Sequence, residues 1–181
     1  QSFKSSLGTL SDDDIEINVE EGVVYVSISD KLLFNSGSFT VTTRAKKVLE
    51  KIAKVISDKP DLEFMVEGHT DNMLIDQEKA AETIPGVLDN WDLSVKRATS
   101  VVRILQNDYG VDPTKLVAAG RSFYMPIADN DSSVSRAVNR RTRIIVLPKL
   151  DQFTKLIEEG MSMNVPATGP SNTISSDNKP D

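Results

Sequence analysis

Ile15, Ile17 and Val19 alternate with polar residues, and Val24, Val26 and Ile28 do the same after the intervening EEG. Period-two alternation on both sides of a glycine predicts a hairpin whose turn uses Gly22. From Thr42 to Asp58 the pattern changes. Ala45, Val48, Leu49, Ile52, Val55 and Ile56 recur at helical spacing, with Arg44, Lys46, Lys47, Glu50, Lys51 and Lys54 between them. This predicts an amphipathic helix lying on a core, ended by SDKP because Pro60 cannot continue it.

Leu62, Phe64 and Val66 then alternate with Glu63 and Glu67 as a strand, and Gly68 is expected to open the loop after it. A polar, irregular segment runs from Asn72 to Asp89. Beyond it, Val95, Ala98, Val101, Val102 and Leu105 form one helical stripe. Asp89, Asn90 or Asp92 can cap that second helix, and Gly110 can stop it. KLVAAG reads as a short strand, RSFYMPIADNDSS as a long loop, and RTRIIVLP as a last strand closed by Pro148. Residues 151–159 predict a short final helix capped by Asp151. Of the last 22 residues, 14 are Gly, Pro, Ser, Thr or Asn, so 160–181 reads as a disordered tail. Residues 1–14 read as a linker and 15–159 as one domain. The order of elements predicts an α/β two-layer sandwich, with two main helices on one face of a small sheet.

The apolar runs are only a few residues long, against the roughly 20 that cross a bilayer, so the visible chain is expected to be soluble. An upstream anchor or targeting signal before Gln1 stays open. The absence of cysteine excludes disulfides, thiol catalysis and thiolate metal sites. A net charge of −6 argues against general attraction to nucleic acid. The charge is uneven, however: SDDDIEINVEE (11–21) carries six acids and no base, and RAVNRRTR (136–143) carries four arginines and no acid. The basic stretch suggests an anionic group met locally, or salt bridges to the acidic surface.

His69 is the one histidine of the chain, and a zinc site needs three or four ligands. A partly buried histidine bonded to a loop is the favoured reading. DNDSS (129–133) opens like a calcium loop, but Val134 stands where the loop needs glycine and Arg140 where it needs a carboxylate. Glu67 and Asp71 invite a glycosidase reading, though any strand followed by a loop offers such a pair. Asp71 and Arg97 are more informative. Asp71 sits where a strand gives way to loop, and Arg97 lies about 100° round the helix from core-facing Ala98. Together they offer a carboxylate and a guanidinium to one zwitterionic ligand, or a plain salt bridge to each other.

VEGHTDN, NWDLSVKRATSVVRIL, GVDPTKLVAAGRSFYMPIADN and RAVNRRTRIIVL, in that order across about 32–147, resemble the C-terminal peptidoglycan-binding domain of outer membrane protein A. This OmpA-like family includes peptidoglycan-associated lipoprotein and the flagellar stator protein MotB. The LDQF extension after the last strand is similar to OmpA-family proteins of Bacteroidetes. The resemblance implies a βαβαβ-type fold with a mixed sheet and a periplasmic location attached to the outer membrane of a Gram-negative cell. It implies binding, without catalysis, metal or cofactor, to the diaminopimelate of the peptidoglycan stem peptide. The aspartate ending G-H-T-D is Asp71 here, and the arginine of L-S-x-x-R-A is Arg97. Asn90 and Arg140 accompany them, with Thr70, Phe34 and Asn35 at the pocket rim. The resemblance also allows a homodimer and an upstream membrane anchor or barrel. One departure is a longer segment at about 73–88, which, with NWDLS, suggests the alternative of a MotB-like stator component. A wall hydrolase would have only Glu67, His69 and Asp71 to use.

Overall fold

The computed structural model describes residues 14–20, 23–35 and 38–148. Strands β1 (Ile15–Glu20) and β2 (Val23–Ser29) form the expected hairpin, in register from Ile15 opposite Ile28 to Glu20 opposite Val23. A single helical turn, α1 (Asp30–Leu33), follows at once and buries Leu32 and Leu33. Helix α2 (Thr43–Ser57) is capped by Thr42, whose hydroxyl oxygen accepts from Ala45 N–H at 3.1 Å. Its apolar stripe is the one the sequence shows, with Ala45, Leu49, Ile52 and Ile56 fully buried.

Strand β3 (Leu62–His69) leads to helix α3 (Gln77–Thr83), and helix α4 (Asn90–Arg103) continues through a π-helical turn at Ile104–Asp108. Of the three candidate caps, Asp89 takes the role, accepting from Trp91 and Asp92 N–H. Strand β4 (Leu116–Gly120), helix α5 (Ser133–Asn139) and strand β5 (Arg141–Pro148) complete the described chain. The sheet order is β1-β2-β5-β3-β4, with β3 and β4 parallel and the other neighbours antiparallel. The last strand therefore enters the middle of the sheet. This is the mixed α/β sandwich expected, with a core built from Val26, Ile28, Leu49, Ile52, Phe64, Val66, Val101 and Ile144.

Three local expectations change. β3 runs on through His69, so Gly68 lies inside the strand and does not open the loop. A Cβ at Gly68 would stand 2.2 Å from the Ser94 carbonyl oxygen, and one at Gly120 2.9 Å from Val95 N. Both glycines are there because the backbone of α4 rests directly on β3 and β4. The 72–89 segment is not irregular throughout: α3 is capped by Asp76, and Ala80, Ile84 and Val87 pack with Phe39, Ile75 and Leu93 in a small core of their own. The loop before β5 contains α5, closed by a Ser132–Ser135 capping box. The turn at Gly22, the linker up to Asp13, the helix at 151–159 with its LDQF start, and the tail at 160–181 lie outside the described residues. Among the described residues no helix is long and apolar enough to cross a membrane.

Candidate functional site

The end of β3 is tied to the loop after β4 before it reaches Asp71. Arg121 N–H donates to Gly68 O, and Thr70 N–H donates to Ser122 O, each at 2.9 Å. Ser122 adopts φ +52°, a left-handed conformation uncommon for a residue with a side chain, and its N–H donates to Ser94 Oγ at 3.2 Å. The strand tip is therefore tied to that loop by two backbone bonds. Asp71 follows as a buried residue with both carboxylate oxygens engaged. Oδ1 accepts from Met73 N–H at 3.1 Å, and Oδ2 accepts from Arg140 Nη1 at 2.5 Å.

Asn90, the first residue of α4, is buried and turned toward the same loop. Its Nδ2 donates to Met73 O at 2.9 Å and to Asp71 O at 3.5 Å, so it holds the backbone of the aspartate turn. Thr70 does similar work, its hydroxyl donating to Asp71 O at 3.1 Å. Two turns along α4, Arg97 is buried at 5% exposure. Its Nη2 meets Asp30 Oδ2 at 2.9 Å, its Nε donates to Ser38 O at 3.4 Å, and its guanidinium lies 5.4 Å from the centre of the Phe34 ring.

The structure thus corrects the simplest reading of the pair. Asp71 and Arg97 do not form a salt bridge with each other; each is paired elsewhere, with Arg140 and Asp30. The two pairs are nevertheless electrostatically coupled. Burial pushes the Arg97 guanidinium below its ordinary value, Asp30 opposes this, and Arg140 and Asp71 act on it too. Burial raises the Asp30 carboxyl, against the pull of Arg97 and Arg140, while Asp71 adds to the rise. Arg140 also links the pairs mechanically, since its carbonyl accepts from Asp30 N–H at 3.1 Å.

A groove of about 910 Å³ opens at this cluster, with Asp30, Phe34, Asn35, Arg97 and Arg140 among the residues lining it. The exposed apolar side chains of Ile127, Val134 and Val138 line it as well. Thr70, Asp71 and Asn90 are not among its lining residues: Thr70 and Asn90 hold the aspartate turn, and Asp71 meets the groove through Arg140. Asp30 is the residue that the motifs did not point to. Its one signal in the sequence was an acid directly following the core-facing end of a predicted strand.

The other candidates resolve differently. His69 is buried in the sheet, its Nε2 2.9 Å from Glu67 Oε1, and it contacts a side chain where a loop was expected. The second Glu67 oxygen accepts from Arg121 Nε at 2.7 Å. Burial raises the Glu67 carboxyl, but its bonds to His69 and Arg121 outweigh this and hold it at about 2. A group so firmly ionised is unsuited to act as a general acid. Among the described residues no cluster of His, Cys, Asp or Glu can hold a metal ion. The arginines of 136–143 are mostly used inside the protein. Arg136 donates to Asn130 O, Arg141 to Asn139 O and Met125 O, and Arg143 stacks 4.0 Å from the Tyr25 ring centre.

The OmpA family model matches residues 33–140, more than half of the chain and the whole of the segment that builds this cluster apart from Asp30. The chain belongs to the OmpA family. Among its relatives are motility protein B of Bacillus subtilis, 30% identical over 129 residues, and outer membrane protein Omp38 of Acinetobacter baumannii, 31% identical over 137. These alignments take in 71% and 76% of this chain but only 46% and 35% of those proteins. The OmpA domain here spans less than half the length of either. Of solved structures, the cell wall anchor of the type VI secretion system from Pseudomonas aeruginosa superposes with a TM-score of 0.69 at 29% identity, covering 82% of this chain and 98% of that one. The periplasmic domain of Helicobacter pylori MotB gives 0.70 at 23% identity over 86% and 93%, a likeness of fold.

Proposed function

We propose that this OmpA-family domain binds peptidoglycan non-covalently through the free end of diaminopimelate in the stem peptide, and so anchors a component of the outer membrane to the wall from the periplasm. The observation that carries this reading is a pair of neighbouring acid–arginine pairs, Asp30 with Arg97 and Asp71 with Arg140, of which Asp30, Arg97 and Arg140 line one groove. Diaminopimelate presents an ammonium and a carboxylate on its distal carbon. A carboxylate for the one and a planar guanidinium for the other fit both ends, because arginine can bind both carboxylate oxygens at once. Each charge-assisted bond contributes roughly 1.5–3 kcal/mol at best, so single-site affinity is modest. A polymeric wall and a tethered receptor convert that into durable attachment through effective concentration.

Relatives whose names place them at the outer membrane or at a cell wall anchor support the tether. The site is a binding site without covalent chemistry, in keeping with a Glu67 whose two oxygens are both engaged. Retention on purified sacculi tests the reading, comparing the wild type with Asp71→Ala and Arg97→Ala after checking that each variant melts cooperatively. The variants are expected to elute and the wild type to stay. Equal retention of all three sinks the site.

A second reading, a stator component attached to the wall, is favoured by the similarity to motility protein B and by the NWDLS start of α4. The sequence upstream of Gln1 separates the two. A single transmembrane helix with an ion-binding aspartate points to the stator, and a lipoprotein cysteine or a barrel points to the tether.

A further inference from the structure

The partner of Arg97 is the half-buried Asp30, and this acid has capacity to spare. Its Oδ2 takes the guanidinium at 2.9 Å, with the two side chains 14% and 6% exposed. Its Oδ1 is buried and accepts no hydrogen bond. A carboxylate offers about four lone-pair positions, and a buried acceptor left unmet is costly. The group lines the groove beside Arg97 and Arg140, and its backbone N–H is held by Arg140 O.

We propose that Asp30 is a second carboxylate for the ligand's ammonium, acting with Asp71, so that two acids and two arginines read one zwitterion. The inference rests on the diaminopimelate reading above and adds a specificity residue to it. In the free protein each arginine is neutralised by an acid, Arg97 by Asp30 and Arg140 by Asp71. The bound zwitterion enters this arrangement with its ammonium toward the two acids and its carboxylate toward the two arginines. Charge stays balanced at every stage, and the three N–H donors of the ammonium find acceptors that include the unused Asp30 Oδ1.

Specificity follows from what a mismatched ligand leaves behind. A ligand with the distal carboxylate but no ammonium draws Arg97 and Arg140 toward itself and leaves both acids short of partners in a largely buried site. A ligand with the ammonium alone leaves the arginines short. Rejection of both is built from unpaired charge in the wrong complex more than from extra contacts in the right one.

The test uses two synthetic tripeptides, L-Ala-γ-D-Glu-diaminopimelate and the same peptide lacking the distal amine, titrated calorimetrically into wild type, Asp30→Asn and Asp30→Ser. The wild type is expected to prefer the complete ligand by at least about tenfold, the size of one charge-assisted hydrogen bond. Both variants are expected to lose most of that preference by binding the complete ligand more weakly while the amine-free peptide changes little. Either variant suffices if the other fails to fold. Equal weakening for both peptides, or an unchanged preference, overturns the role of Asp30 while leaving the diaminopimelate reading intact, since Asp30 is then only the counterion of Arg97. A wild type that binds neither peptide overturns both.

Discussion

Arg140 holds both acids of the site at once: its guanidinium binds Asp71 at 2.5 Å, and its carbonyl accepts the Asp30 N–H at 3.1 Å. The spacing between the two carboxylates therefore depends on one residue at the junction of α5 and β5. The Arg140 side chain is about one-third exposed, but the Asp71 carboxylate it serves is buried, so removing the guanidinium costs about 1–2 kcal/mol. Arg140→Ala is therefore expected to lower the urea midpoint and, where the fold is intact, to lower retention on sacculi about tenfold at low salt.

Gly68 tests the seating of α4. A methyl group there meets Ser94 backbone atoms, which cannot rotate away as a flexible side chain does. Gly68→Ala is expected to destabilise the fold by about 2–3 kcal/mol, read from chemical denaturation. Because α4 carries Asn90 and Arg97, wall binding is expected to fall with it. A variant as stable as wild type disproves the close approach.

Acid is expected to unfold the domain in two stages with the same sign. Burial, opposed by the Glu67 bond, leaves the folded His69 pKa below 6.5, and Nδ1 has no hydrogen-bond partner. The unfolded chain then binds the proton more readily, and stability falls as pH drops through about 6.5. Glu67, at about 2 in the fold against 4.5 ordinarily, contributes stability above 4.5 that is lost as pH falls from there toward 2. That second contribution is about 3 kcal/mol at most. Urea midpoints from pH 8 to 3 check the sum. His69→Gln, which keeps a donor for Glu67, is expected to flatten only the limb between pH 7 and 5.

The α3 segment has its own small core, and it is expected to open on its own. Ile84 is one of its three buried side chains, with Ala80 and Val87. Ile84→Ala is expected to cost about 2 kcal/mol locally and to expose residues 73–88 to protease while the sheet stays protected from amide exchange. Global unfolding at the same protease dose counts against a separate unit.

Much of this architecture is legible in local pattern. Alternation at Ile15–Val19 and Val24–Ile28, and the stripe from Ala45 to Ile56, state which face of each element is apolar, and that suffices to fix β1, β2 and α2 nearly to the residue. Helices α3 and α5 were less visible because each is seven residues long, too short for two turns of apolar repeat, and each begins in a polar stretch. A glycine after an alternating run, as at Gly68, looks like the start of a loop; only the α4 backbone above it shows that it belongs to the strand.

The sequence by itself determined the strands, the two long helices, the OmpA-family membership and the identities of Asp71, Arg97 and Arg140 as the charges worth watching. Tertiary structure decided who pairs with whom. Asp71 meets Arg140 across 69 positions, and Arg97 meets Asp30 from another element altogether. Such partnerships leave no periodic trace along the chain, because they are set by where β5 enters the sheet and how closely α4 can approach it.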